Sequence, residues 1–380
     1  MTTTRLAAAL AGSAVAAAAL AGGARLGAAA PPAAWPLFRG DAALSGAAGG
    51  VLPDRPRALW TREVGEGIES TAAIADGTVY VATLDGKLLA LALESGAPRW
   101  TYAVGAAVKS SPTVAGGTVY LGDEAGTLHA VDAGSGERRW TFATEAAVVS
   151  SANVAGERVL FGSYDGHLYA VAARDGRLLW KLQTDNYVHA TPAVDGDSAW
   201  VAGCDGWLRR VAIASGHERA RVRLGGYAAA SAALAGGRAY LGTFENQVLA
   251  IDLAGARVAW TYEPAERKFP FYASAAVARD WVVVGGRDKL VHGLDARSGK
   301  ARWTFAAAGR VDASPVIAGE RVWVASLSGD LYALELATGR EVWRYAAGAP
   351  FVASPAVAAG RLVIGAADGR VYAFGGEGAA

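Results

Sequence analysis

Residues 130–140 read Ala130-Val-Asp-Ala-Gly-Ser-Gly-Glu-Arg-Arg-Trp140, a pattern of the form A-x-D-x-x-S-G-x-x-x-W. It returns at Gly293–Trp303 (GLDARSGKARW), with Gly for the leading Ala, and at Ala333–Trp343 (ALELATGREVW), with Glu for Asp. Ala90–Trp100, Ala170–Trp180 and Ala250–Trp260 are looser copies, and Arg210–Ala220 is the most degraded. The closing Trp falls at Trp60, Trp100, Trp140, Trp180, Trp260, Trp303 and Trp343. The spacing is 40 residues except where Ala220 replaces the Trp and where three extra residues precede Trp303. A fixed period of about 40 residues marks a repeat architecture.

Each period holds four strand-like pieces bounded by glycine turns. In the second repeat they are Val108–Val114, Thr118–Gly122, Thr127–Asp132 and Arg138–Phe142. Asp-Gly pairs at Asp85-Gly86, Asp165-Gly166, Asp205-Gly206 and Asp368-Gly369 suit two-residue hairpins, because Gly accepts positive φ without strain. No helical periodicity of useful length occurs. Four antiparallel strands per period is the signature of a propeller blade. Third-strand copies lie at 87–92, 127–132, 167–172, 207–212, 247–252, 290–295, 330–335 and 370–374, which gives eight blades. The last copy has no fourth strand after it, while Arg57–Val64, containing Trp60, is an orphan fourth strand at the start. Docking one on the other closes the ring and removes an exposed edge. The expected fold is therefore all-β, an eight-bladed β-propeller latched by its N-terminal strand. Pro112, Pro192, Pro315 and Pro355 fall in the first strand of their repeats, which makes that strand an edge facing the channel. The Trp strand is then outermost, and the repeated indoles read as wedges between blades, each worth about 3–5 kcal/mol on truncation.

Composition agrees with this reading. Gly is 49 of 380 residues, against a usual level of roughly 7%. Lys+Arg is 36 and Asp+Glu is 35, a balance that argues against a nucleic-acid partner. The single Cys204 excludes an intrachain disulfide and any multi-cysteine metal site. Residues 1–30 have the layout of a secretory signal peptide: Arg5, an apolar run from Leu6 to about Leu20, and small residues near Ala28–Ala30. No Cys follows that run, so no lipid anchor is expected there. No later segment is long and apolar enough to span a bilayer. The expected organisation is signal peptide 1–30, N-terminal lead-in 31–56 and propeller 57–380, in an exported protein, periplasmic or secreted.

The motifs resemble the pyrroloquinoline-quinone (PQQ) type repeat, whose tryptophan-docking motif is A-x-D-x-x-T-G-x-x-x-W, across about residues 35–380. Trp35–Gly46 (WPLFRGDAALSG) also resembles the segment that precedes such propellers in exported bacterial proteins. The resemblance implies one of two branches. Quinoprotein dehydrogenases use PQQ with calcium, are considerably longer, and in the alcohol dehydrogenases carry adjacent cysteines that one Cys cannot supply. The BamB-like branch is a non-catalytic propeller subunit of outer-membrane protein assembly, and this chain matches it in length and repeat count. It departs from that branch in lacking the lipid-anchor Cys. The expectation is a non-enzymatic scaffold that holds no cofactor and binds an envelope protein or peptide. A PQQ-binding oxidoreductase or a small-ligand sensor is the alternative.

No catalytic or metal-binding set can be placed. His129, His167, His189, His217 and His292 show no metal-ligand spacing, and no G-x-S-x-G elbow occurs. His129 and His292 stand where other blades carry Tyr169, Tyr332 and Tyr372, so they read as structural. One set of positions varies while the repeat is constrained. Just ahead of each first strand stand Glu69, Lys109, Val149, His189, Ala229, Tyr272, Asp312 and, one place further along, Ala353. Tyr187, Tyr227, Phe271 and Arg310 are close by, with Asp165, Cys204, Asp205, Phe244 and Arg287 on neighbouring turns. The insertion Glu263–Phe271 adds Arg267, Lys268 and Phe269 on the same side, with Phe269 and Phe271 read as exposed aromatics. Aromatics, both charge signs and a His converging on one mouth make the default partner site of a propeller. The inner strands' unpaired backbone edges also suggest strand addition.

Overall fold

The computed structural model describes residues 34–265 and 268–376. The expected signal peptide and Arg267 lie outside the described residues. Eight antiparallel sheets of four strands follow one another in sequence. Blade 1 is Ala73–Ala75, Thr78–Ala82, Lys87–Ala92 and Pro98–Ala103, and the same order recurs through blade 7. Blade 8 takes its outer strand from the front of the chain: Arg57–Glu63 pairs antiparallel with Arg370–Gly375, with Trp60 opposite Ala373. The inner strands of blades 1 and 8 touch each other, as do those of blades 1 and 2, so the ring is closed.

The innermost strands are shorter than expected, three residues each. In blade 2 the strand is Thr113–Ala115, and Val108–Pro112 is a connection. The four prolines stand immediately before their strands rather than within them. A residue without an N–H fits there, where the ladder has not begun.

Between blades the repeated Trp and Gly act together. The Trp140 Nε1–H donates to the Ala173 carbonyl of the next blade at 3.0 Å, and the Trp100 Nε1–H to Ala133 at 3.1 Å. Trp60, Trp180, Trp260 and Trp303 make the same bond to Leu93, Ile213, Ala296 and Leu336. Each of these six indoles lies on a turn glycine of the next blade: Gly96, Gly136, Gly176, Gly216, Gly299 or Gly339. At Gly136, φ is +76° and a Cβ would sit 2.7 Å from the Trp100 ring, so both backbone and packing require Gly. Where the Trp is missing, at Ala220, the matching turn in blade 5 carries Ala256 at φ +45° instead of Gly. Indole and glycine have been lost as a pair.

The lead-in segment does not run over the surface. It coils inside the base of the ring. Trp35 exchanges two backbone bonds with Ile74 of blade 1, both at 2.8 Å. The carbonyls of Pro36, Ala42, Ala43, Ser45 and Gly46 then accept the inward N–H groups of Val114, Val194, Leu234, Val277 and Ile317 in turn. Ala47–Ala48 finally pairs parallel with Ile317–Ala318 of blade 7. Six of the eight inner strands thus already have their central N–H taken. This corrects the expectation that those edges are free for strand addition. Trp35, Leu37 and Leu44 are buried in the process, and Arg39 is buried with them at 1% exposure. The Arg39 guanidinium donates to the carbonyls of Ala275, Ser314 and Pro315 on blades 6 and 7. Burial lowers its pKa to about 9, so it stays a cation at neutral pH, aided by nearby Asp41.

Candidate functional site: a blind polar mouth with an aromatic wall

Above this plug the channel is a polar well of about 300 Å³ with Phe38 of the lead-in among its lining residues. Its lower wall is a belt of hydroxyls, one per blade: Thr71, Ser111, Ser151, Thr191, Ser231, Ser274, Ser314 and Ser354. The belt is tied blade to blade. The Thr71 N–H donates to Ser111 Oγ at 3.0 Å, Ser111 N–H to Ser151 Oγ at 2.8 Å, and Ser314 N–H to Ser354 Oγ at 2.9 Å. Buried polar backbone is satisfied by side chains of the next blade, which fixes the inner radius of the ring. Reading the chain did not single out this belt, although the Ser/Thr column recurs with the repeat period.

The variable ring stands just above the belt. Glu69, Lys109, Val149, His189, Ala229, Tyr272 and Asp312 all line the well. In blade 8 the place belongs to Val352, not Ala353, which is fully buried. Two charges are already paired: Lys109 with Glu124 at 2.6 Å and Asp312 with Arg287 at 3.0 Å through both guanidinium nitrogens. The Glu124 bond raises the Lys109 pKa. Arg287 also lies over the Tyr272 ring, 4.7 Å from its centroid. Glu69 remains without an ion pair among the described residues.

His189 is held between two phenols. Its Nδ1 is 2.7 Å from the Tyr164 hydroxyl and its Nε2 is 3.3 Å from that of Tyr272. Burial, with the Lys109 charge nearby, lowers its pKa to about 4, and burial raises that of Tyr164 to about 12. His189 is therefore neutral at pH 7. An unfolded His titrates near 6.5, so the unfolded chain binds the proton first as pH falls. The stability this group contributes is complete above about pH 6.5 and is lost toward pH 4. The melting temperature is expected to fall between pH 6.5 and 4.5, and His189→Gln to flatten that slope. Calorimetry at stepped pH reads it, and parallel slopes in parent and variant would refute the assignment.

Beside the well, a second cavity of about 340 Å³ is walled by Tyr164, Tyr187, Tyr227, Phe244 and Tyr272, with Asn186 and Cys204 at its edge. Tyr164 and Tyr187 stack at 4.8 Å, while Tyr187 and Tyr227 are 51% and 58% exposed. Burial, and then Asp205, raise the Cys204 pKa, so it is a protonated thiol and not a poised nucleophile.

Other residues fall elsewhere. Phe271 is fully buried, packed with His292 at 5.2 Å between blades, which corrects its reading as an exposed mouth aromatic. It occupies the repeat position of Val108, Val148 and Val311, all buried. Phe269 is half-exposed, and Lys268 pairs with Glu263. Arg310 is exposed and lines neither cavity. Asp165 and Asp205 turn into their blades, bound by Tyr169 and Arg209. His129 and His292 form buried pairs with Asp123 and Asp288 and also contact Tyr102 and Tyr262.

The family resemblance offers calcium with PQQ as an alternative occupant of the mouth. Calcium asks for about six to eight oxygen ligands. Among the described residues no group of three or more His, Cys, Asp or Glu is placed to hold a metal ion. The carboxylates of Asp312 and Glu124 are already engaged by cations.

These features define an eight-bladed propeller of PQQ-type repeats whose channel is plugged at the base and open at one mouth. The family described as outer membrane protein assembly factor BamB matches residues 46–262, 165–304, 266–326 and 287–379, and the chain belongs to that family. No curated protein matches the chain by sequence. Among solved structures it resembles BamB from Moraxella catarrhalis, at 17% identity over 84% of this chain and 100% of that one, with a TM-score of 0.73. A europium-containing methanol dehydrogenase superposes at TM-score 0.79, with 12% identity over 90% of this chain and 98% of its own. The quinohemoprotein alcohol dehydrogenase from Comamonas testosteroni superposes at 0.77, with 13% identity over 90% and 80%. At such identities the likeness is one of fold.

Proposed function

We propose that this chain is an exported, non-catalytic scaffold of the cell envelope. Its mouth takes an extended segment of a partner protein, in the service of outer-membrane protein assembly. The observation that carries the reading is the aromatic wall. Tyr187 and Tyr227 stand half-exposed over a cavity floored by Tyr164, Phe244 and Tyr272. Exposed, rigid aromatics beside paired charges are what protein interfaces use as anchors. Membership of the BamB family supports the envelope setting. A photo-crosslinking residue at Tyr187 is expected to capture a defined envelope protein, and one at exposed Arg62 on the outer strand of blade 8 is not. Tyr227→Ala is expected to reduce the Tyr187 adduct several-fold. Equal capture from both positions, or none from Tyr187, would overturn the reading.

The fold likeness to quinone dehydrogenases keeps a second reading in play. Titration with PQQ and Ca²⁺ separates the two. Saturable micromolar binding with a bound-quinone spectrum would replace the scaffold by a quinoprotein.

A further inference from the structure

The end of the ring opposite the mouth holds a site of different chemistry. The turns between first and second strands, and between third and fourth, all lie at that end of the antiparallel blades. There, in two of the eight blades, an arginine that opens the second strand closes the gap to the next blade. Arg238 of blade 5 donates to the carbonyls of Ala296 and Arg297 in blade 6, at 3.0 and 2.9 Å. Arg361 of blade 8 donates likewise to Leu93 and Glu94 of blade 1.

Between blades 2 and 3 no such arginine is present. The residue opening the second strand of blade 2 is Thr118, too short to cross, and a groove of about 590 Å³ remains. Positive charge comes from the walls: Arg139 on one side, and Arg158, Arg174 and Arg177 on the other. Arg139 is held by Asp132 and Thr118, and Arg174 by Asp175. Arg177 makes no ion pair among the described residues. Arg158 stands at the repeat position of Arg238 and Arg361 without making their bonds; it lines both this groove and the one between blades 3 and 4, and its Nε is buried with no hydrogen-bond partner among the described residues. A buried donor without an acceptor costs about 1–3 kcal/mol, more on a cation, unless something fills its place. Glu157 and Asp175 also line the groove and Asp132 pairs with Arg139, so four positive side chains stand against three negative ones. With Arg139 and Arg174 already paired, the positive surplus sits on Arg158 and Arg177 and suits an anionic group. The floor of Tyr120 and Leu179 receives whatever that group is attached to.

We infer that this groove binds a phosphate-bearing anion, with the Arg158 and Arg177 guanidinium forks on its oxygens. It lies at the far end of the blades from the mouth, so it stands or falls apart from the proposed partner site. The test uses the full chain with two probes. Inorganic pyrophosphate is titrated calorimetrically, and phosphatidic acid vesicles are tested by co-sedimentation against phosphatidylcholine vesicles. Saturable binding of pyrophosphate assigns a soluble phosphate anion, and binding of the vesicles alone assigns a lipid headgroup. In either case Arg158→Gln and Arg177→Gln should each weaken binding about tenfold, as loss of a charge-assisted bond implies. Arg340→Gln, at the same turn of blade 7, should not. Failure of both probes to bind, or binding that Arg177→Gln leaves unchanged, would overturn the inference. Arg177 is exposed, so its replacement leaves folding intact.

Discussion

Trp303→Ala is expected to lower the melting temperature by about 6 °C, and Trp140→Ala by about 4 °C. Trp303 is only 8% exposed, and its Nε1–H reaches the Leu336 carbonyl at 2.8 Å. Removing a buried indole costs about 3–5 kcal/mol, from lost transfer energy and the cavity left behind. At about 2.1 cal/mol/K per residue, a chain of this size shifts roughly 1–2 °C per kcal/mol. Trp140 is half-buried and makes a similar bond to Ala173, so it falls at the lower end. Calorimetry of the two variants checks both the loss and the order. Unchanged melting in both would refute blade-to-blade docking by the indole. The exception in the repeat supplies a converse. Ala220→Trp alone should destabilise, because Ala256 places a methyl where other blades have only a glycine hydrogen. Ala220→Trp with Ala256→Gly should be more stable than the sum of the single changes, a coupling that neighbouring residues show and distant ones do not.

That converse explains how much could be read from the chain. Whatever repeats was legible: strand count, the latch of Arg57–Glu63 on Arg370–Gly375, and the channel-facing ring from Glu69 to Asp312. Each repeated copy confirms the alignment of the others. The errors arose where one column was read without its neighbours. Ala353 belongs to the buried column of Ala190, Ala230, Ala273 and Ala313, and Phe271 to that of Ile68, Val108 and Phe351. The three-residue insertion before blade 6 hid the second of these. The hydroxyl belt was periodic too, but its role needs the next blade in place. The groove at Arg158 depends on an absence, Thr118 where another blade has Arg. Trp35–Gly46 has no second copy in the sequence, so nothing in it announces that its carbonyls would meet one inner strand after another.

Arg39 is where that unrepeated segment is most exposed to test. Its guanidinium joins three carbonyls on blades 6 and 7, a buried cation with no carboxylate bonded to it among the described residues. Arg39→Ala leaves those carbonyls without their donor in a space that the lead-in itself encloses. Hydrogen bonds from a charged donor contribute about 1.5–3 kcal/mol each, less than additively when they share one group. The expected loss is about 3–5 kcal/mol, or roughly 4–7 °C in melting temperature. The path of the side chain adds a second reading. A Cβ on Gly46 would stand 1.8 Å from Arg39 Nη2, at a backbone φ of +66°. Gly46→Ala alone should therefore be costly, through both clash and strain. Made in the Arg39→Ala background it should cost less, because only the strain remains. Limited proteolysis gives an independent readout: in Arg39→Ala, cleavage within residues 35–48 should precede cleavage of any blade, while the parent resists at both. If the Arg39→Ala protein melts with the parent and is cut no faster, the plug is held by its backbone bonds to the six inner strands alone, and the buried cation is no part of the latch.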